Sequence, residues 1–350
     1  MTVSRTRRLR WGLLAAGSIA AQFADGVLHS DTGELVAVAA REVERAVAFA
    51  SRFHILRAYG AYDELLADPD VDVVYVSTIH PLHARWAIRA AEAGKNVLCE
   101  KPLAMNADEA HSVLAAAKRN GVFLMEAFMY RCHPQTQLLF ELVQSGSVGN
   151  IQLIDIAFSY DIGKKGPPRV MKRSLGGGGI LDIGCYGVSL ASLVVETALD
   201  HPVVEPTELV AMARLHPSHG VDLWSTALLR YPSGILARLT CAVDVVEDNH
   251  VRVFGTEGQL HIPVPSWLTA NRMPGTSHIH LRPRGGSART LDVHAAKRLF
   301  TYEADAVAEY IRSTEHPLLP WAGTLANMRT LDRWRDAVGV SYEADEKRKP

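Results

Sequence analysis

Short apolar runs and amphipathic stretches alternate through the first 125 residues, and few architectures accommodate that rhythm. Apolar runs at Leu9–Leu14, Leu35–Ala40, Val71–Ser77, Asn96–Cys99 and Val122–Met125 predict buried strands. Between them, Ser18–Leu28, Glu42–Phe53, Tyr62–Ala67, Leu82–Ala93 and Ala107–Asn120 predict helices. Gly94 and Gly121 stand where helices should stop, Asn106 and Asp63 where they should start. Such alternation predicts an α/β fold, a doubly wound parallel sheet covered by helices on both faces.

From about residue 150 the rhythm changes to longer runs of alternating polarity separated by Gly and Pro turns. These are Ile151–Tyr160, Glu208–Leu215, Asp222–Tyr231, Ile235–Val243 and His250–Phe254. They predict an α+β domain on a large open antiparallel sheet with one exposed face. A chain of 350 residues accommodates two domains. They are expected over 1–128 and 129–350, with the C-terminal helix packed back on the first.

Apolar residues make up 48% and charged residues 21%, so both domains can bury a core. A formal charge of −1 provides no broad basic field, which argues against nucleic acid as a partner. Cys99, Cys132, Cys185 and Cys241 lie far apart without a CxxC pair. Reduced thiols in a cytoplasmic protein are expected, not disulfides or a zinc knuckle. No apolar stretch is expected to reach the roughly 18 residues of a membrane span. The stretch TRRLRWGLLAAGSIAAQFADG, residues 6–26, admits a second reading, because paired arginines before an apolar run look like an export leader. Its removal would take away the first strand, which sits mid-sheet in doubly wound folds, and no clean A-x-A site follows. It is expected to stay as strand, turn and helix.

In that turn, Ala15, Gly17 and Ala20 occupy the three positions of the G-x-G-x-x-G/A dinucleotide fingerprint. Gly17 lets backbone approach a pyrophosphate, and the free amides of Ser18 and Ile19 would face it at the helix start. One missing glycine weakens the motif; the flanking strand–helix pattern supports it. After the second strand, an acidic residue would signal NAD through the ribose 2′-hydroxyl. This chain has Arg41 there and Arg45 one turn later, which suits a 2′-phosphate. NADP(H) is therefore favoured, with NAD(H) as the alternative; a merely solvated helix start is the competing reading. Thr78, His80 and His83 follow the next strand, where ligands of such sheets bind. Two histidines without a third ligand make a poor metal site, so helix-start structure and contacts to the nicotinamide half are expected and no metal. Glu100-Lys101-Pro102 ends a further strand; a lysine there, away from bulk water, is fitted for proton traffic. In the second domain, a Gly176–Gly179 loop that would let a ligand or another chain close in leads to Asp182 and Tyr186, four apart at the start of an apolar helix.

Gly17-Ser-Ile-Ala20, Glu100-Lys-Pro102 and Asp182-Ile-Gly-Cys-Tyr186, in this order, resemble the glucose–fructose oxidoreductase/inositol dehydrogenase/MocA (Gfo/Idh/MocA) family. Val38-Ala-Ala-Arg41, Ala58-Tyr-Gly-Ala-Tyr62 and Leu124-Met-Glu-Ala127 look most like its dimeric dihydrodiol dehydrogenase and aldose dehydrogenase members. The resemblance runs from about residue 9 to the C-terminal helix and weakens after 200. It implies that Lys101 and Tyr186 are the catalytic pair with Asp182 beside them, and that Glu100 and Lys101 also meet the cofactor. It implies hydride transfer between nicotinamide and a carbinol carbon of a sugar or cyclic diol, with keto-sugar reduction or a silent cofactor-binding regulator as alternatives. Arg131, in Met129-Tyr-Arg-Cys-His133, and Tyr160 would contact this small-molecule substrate, and the loop 161–174 would shape its pocket. The open sheet, including Val251–Phe254 and Leu260–Ile262, would form a homodimer or homotetramer surface.

Overall fold

A computed structural model describes residues 7–163, 168–264 and 272–348. The first six strands, β1 Leu9–Leu14, β2 Gly33–Ala39, β3 Arg57–Tyr59, β4 Val73–Val76, β5 Asn96–Glu100 and β6 Leu124–Ala127, form a parallel sheet. Their order is β3-β2-β1-β4-β5-β6. Its helices are α1 Ser18–Leu28, α2 Val43–Phe53, α3 Tyr62–Ala67, α4 His83–Glu92 and α5 Ala107–Asn120. Leu14 on β1 pairs with Ala39 on one side and Val76 on the other. The stretch that looked like a leader is therefore the middle of the sheet, with Trp11, Leu13 and Leu14 fully buried. Asn106 caps α5 by accepting from the Glu109 amide at 2.9 Å, and Gly121 ends it at φ +63°. Asp63 is not the start of α3: Ala61 takes the cap position, and its amide donates to Glu64. The three-residue strand β3, at the sheet edge, had no readable apolar run.

α6 Pro134–Gln144 leads into a second, eight-stranded sheet. Its strands are β7 Ile151–Ser159, β8 Glu208–Leu215, β9 Asp222–Arg230, β10 Leu236–Ala242, β11 His250–Gly255, β12 Gly258–Ile262, β13 Gly275–Pro283 and β14 Arg289–Ala295. The order is β14-β13-β12-β11-β7-β10-β9-β8. The expected antiparallel sheet is in fact mixed, because β10 runs parallel to β7. Between β7 and β8 the chain forms α7 Pro168–Met171 and α8 Cys185–Leu199, and α8 packs on the inner face of β7 and β10. The long excursion across the sheet returns the chain in parallel register, as crossovers do.

The run Arg173–Leu199 corrects the expectation about apolar stretches. It is long and apolar enough to cross a membrane, with mean hydropathy 1.6, yet 94% of that window is buried inside the protein. It is the core helix of the second layer. α9 Leu299–Tyr310 packs on α1, and α10 Trp321–Ala337 packs on both α5 and α8. On the outer face of the second sheet Val210, Met212 and Leu228 are exposed beside the ion pair Arg238–Asp155.

Candidate active site

The carboxyl ends of β4 and β5 lie side by side, with Val76 paired to Cys99. Thr78, His80 and Lys101 therefore leave the sheet together, on the edge where doubly wound folds bind ligands. The Lys101–Pro102 bond is cis. The second layer supplies the other half of the site. Lys101 Nζ donates to the Asp182 carbonyl oxygen at 2.6 Å, lies 4.0 Å from Asp182 Oδ1, and sits 4.9 Å from the centre of the Tyr186 ring. The ammonium thus meets the face of the phenol. The Tyr186 hydroxyl donates to Met129 Sδ at 3.5 Å, and Phe128, Tyr130 and Phe158 enclose the ring. Burial, then the charge of Glu100, pushes the Tyr186 phenol well above its ordinary value, so it is a neutral donor.

Asp182 is the hub. Its Oδ1 accepts from Arg169 Nη1 at 2.9 Å, its Oδ2 accepts from the Tyr160 hydroxyl, and His80 Nε2 lies 3.9 Å away. Burial alone would raise this carboxyl, but Lys101, Arg169, His80 and the Tyr160 hydroxyl hold it well below the usual carboxylate range. It is an ionised anchor between two cations and not a proton carrier. Burial, then Arg169, keeps His80 well below its ordinary value and therefore neutral. Its Nδ1 donates to Gly176 O at 2.9 Å, leaving the Nε2 lone pair toward Arg169 Nη1 at 3.4 Å.

The glycine loop explains how Asp182 arrives there. Gly176–Gly179 close on this chain itself. A β-carbon on Gly178, at φ +108°, would stand 2.3 Å from Asp222 Oδ1, and one on Gly177 would stand 2.4 Å from Val170 O. Buried Asp222 of β9 accepts from the Ile180 amide at 2.6 Å and caps the following turn; burial pushes its carboxyl up to about 7. That turn, Ile180–Gly184, is π-helical before α8 begins, a widening frequent at functional sites. It aims the Asp182 carbonyl and the Tyr186 ring at the same ammonium.

Not every expected residue joins this group. Arg131 does not. Its Nη2 donates to Ser189 O at 2.8 Å and its Nη1 to Leu318 O at 3.1 Å, so the guanidinium ties the Met129–Cys132 turn to α8. His83 has Nδ1 2.8 Å from Pro102 O and Nε2 3.0 Å from Thr78 O, with burial pushing it down to about 4. The neutral ring donates from one of these nitrogens only, and both lie against backbone carbonyls of the turn. Glu100 is buried and accepts from the Tyr75 hydroxyl. Arg169 is the residue that sequence reasoning missed. It lies in the loop 161–174, of which 164–167 fall outside the described residues.

The residues toward a dinucleotide fit one. Ala15 turns the chain at φ +88°, and a β-carbon on Gly17 would meet no atom of the described residues within 4 Å, so the approach to this turn is open among them. The α1 start has no side-chain cap and no acidic residue in its first turn, leaving the Ser18 and Ile19 amides to an anion. Among the described residues, Thr78 Oγ1 is buried without a hydrogen-bond partner. Arg41 and Arg45 are exposed at the end of β2 and the start of α2, both close enough to act on the Tyr62 phenol.

Residues 9–128 match a family model described as an oxidoreductase family with an NAD-binding Rossmann fold, and 136–261 match the Gfo/Idh/MocA C-terminal domain. Trans-1,2-dihydrobenzene-1,2-diol dehydrogenase of Mus musculus is 35% identical over 346 residues, covering 97% of this chain and 99% of its own. The chain belongs to the Gfo/Idh/MocA oxidoreductase family. The Homo sapiens enzyme of the same name is 33% identical to this Gfo/Idh/MocA member over 97% of the chain and 99% of its own. Among solved structures, a 3-ketoreductase from Actinomadura kijaniata, in complex with NADP and TDP-benzene, superposes with a TM-score of 0.85 at 28% identity, covering 95% of this chain and 98% of its own. An aldose–aldose oxidoreductase from Caulobacter crescentus complexed with glycerol gives 0.83 at 26%, over 95% and 98%. Like the family, the chain is an NAD(P)-dependent oxidoreductase built on a Rossmann domain.

Proposed function

We propose that this protein transfers hydride between NADP(H) and a carbinol or carbonyl carbon of a sugar or cyclic diol held between a dinucleotide-binding domain, 1–128, and a substrate domain, 129–350. The observation that carries the reading is Lys101 Nζ, bound to the Asp182 carbonyl and lying against the Tyr186 ring at the carboxyl edge of the parallel sheet. The nicotinamide, when bound, supplies or accepts the hydride. The chain's own residues do the rest. Ser18 and Ile19 amides would hold the pyrophosphate, Arg41 and Arg45 the 2′-phosphate, and Thr78 the nicotinamide half. The Tyr186 hydroxyl would exchange a proton with the substrate oxygen, and Lys101 would steady the charge that develops there. Asp182, with Tyr160 and Arg169, would fix Lys101 and present polar groups to the substrate hydroxyls.

The names of the full-length relatives favour a trans-dihydrodiol; those of the structural neighbours favour a sugar. A neutral, buried Tyr186 phenol is set to give a proton rather than take one, which favours the keto-sugar reductase reading as second choice. The presence of both Lys101 and Tyr186 argues against a silent regulator. The outer face of the second sheet, with Val210, Met212 and Leu228 exposed, supports a homodimer or homotetramer there. Four unpaired cysteines support a cytoplasmic setting. The test is NADP⁺ reduction, and NADPH oxidation, across pentoses, hexoses, their keto forms and cyclic diols. Lys101→Ala and Tyr186→Phe should each keep NADPH binding while losing most turnover. Unchanged turnover in both variants removes the catalytic assignment.

A further inference from the structure

Beneath the catalytic group lies an acid that the mechanism above does not use. Glu303, on α9, is fully buried, and neither carboxyl oxygen has a hydrogen-bond partner among the described residues. It cannot swing out to water. α9 is held tightly on α1, where a β-carbon on Gly26 would stand 2.6 Å from Phe300 Cβ and Thr301 Oγ1 donates to Gly26 O at 2.7 Å. Its other side packs on the Met129–Cys132 turn.

The ionisable groups whose charge is felt at Glu303, or which feel its charge, come from four elements: Glu100 from β5, Tyr75 from β4, Cys132 from the turn and Tyr186 from α8. None is a cation. Glu100, bound to the Tyr75 hydroxyl, is itself buried, with Lys101 and then Arg169 as the positive charges acting on it. Burial, then the charge of Glu100, pushes the Glu303 carboxyl well above its ordinary value. Lys101 and Arg169 act on Glu100 but no cation acts on Glu303, so this buried pair has positive charge to support one ionisation and not two. On the reading proposed above, the oxidised nicotinamide brings a positive charge to this place and the reduced one does not.

We propose that Glu100 and Glu303 act as a carboxyl pair that carries one negative charge in the free enzyme and two beside a cationic nicotinamide, so that Glu303 sets the preference between the oxidised and reduced cofactor. On binding NADP⁺ the Glu303 O–H bond breaks, its electron pair stays on the carboxylate and the proton passes to the buffer. Binding NADPH leaves the pair singly charged. Glu303 is a positioning residue for charge and touches no reacting atom.

The experiment is calorimetric titration of the full-length enzyme with NADP⁺ and with NADPH, in two buffers of different ionisation enthalpy, repeated from pH 6.5 to 8.5. The 2′-phosphate is common to both ligands, so the difference between them isolates the pair. The wild type should release about one proton more with NADP⁺ than with NADPH, and the ratio of the two Kd values should shift about tenfold per pH unit in favour of NADP⁺ as pH rises. Glu303→Gln should abolish both the extra proton and the pH dependence of the ratio. Equal proton release for the two forms in the wild type overturns the proposal without any variant. Wild-type proton release persisting in Glu303→Gln overturns it equally. Binding of neither form would remove the cofactor reading and this proposal together, which is a different outcome from binding both without a difference.

Discussion

Replacing Asp182 by Asn tests whether this carboxylate is the electrostatic anchor of the site. Asparagine keeps the size and an acceptor oxygen for Arg169; its NH2 takes the place of the oxygen that accepts from Tyr160, whose hydroxyl can turn to accept instead, so the main loss is the charge. With an effective dielectric of about 20, the Arg169 contact at 2.9 Å contributes about 6 kcal/mol and the Lys101 contact at 4.0 Å about 4 kcal/mol. The cost of burying the carboxylate, several kcal/mol, offsets much of this. Two cations left without their counter-charge should therefore destabilise the variant by about 3–5 kcal/mol. Urea unfolding at pH 7 measures this directly. The sign with pH follows from the depressed carboxyl: the stabilisation is fully present above about pH 5 and is lost as pH falls through the folded-state value. Wild type and variant should converge as the pH is lowered from 5. A variant within about 1 kcal/mol of wild type at pH 7, or a gap that widens in acid, refutes the reasoning.

Ala15→Gly should stabilise the protein. A non-glycine residue at φ +88° costs about 1–2 kcal/mol, and the extra chain freedom of glycine in the unfolded state takes back about 0.4–1 kcal/mol. A net gain of about 0.5–1 kcal/mol, read as a higher urea midpoint with unchanged NADPH affinity, is expected; a lower midpoint contradicts it. Arg41→Ala should weaken NADP⁺ binding roughly 10- to 100-fold, the worth of a charge-assisted hydrogen bond, while leaving NAD⁺ nearly unchanged. Equal loss for both cofactors by fluorescence titration would show that Arg41 does not read the 2′-phosphate.

The parallel sheet was legible because each of its main elements follows a local rule. A strand buried on both faces must be continuously apolar, and helices announce their ends through Asn106, Gly94 and Gly121. The strands β12–β14 were harder to read. Their inward positions, such as Leu260, Ile279, Leu281 and Val293, are diluted by outward arginines and histidines, so polarity hid the alternation. The parallel pairing of β7 with β10 joins strands separated by residues 160–235, which no single window spans. At the site, Lys101, Asp182 and Tyr186 could be picked out because each breaks a local rule: a lysine ending an apolar strand, polar groups opening an apolar helix. Arg131 and Arg169 show where that method stops. Both are arginines in single short turns between the main elements, and nothing local separates them. What separates them is the carbonyl of Leu318 waiting for one guanidinium and the carboxylate of Asp182 for the other. Each guanidinium must find acceptors wherever burial leaves it, and the acceptor it finds, far along the chain, decides whether it braces the fold or charges the site.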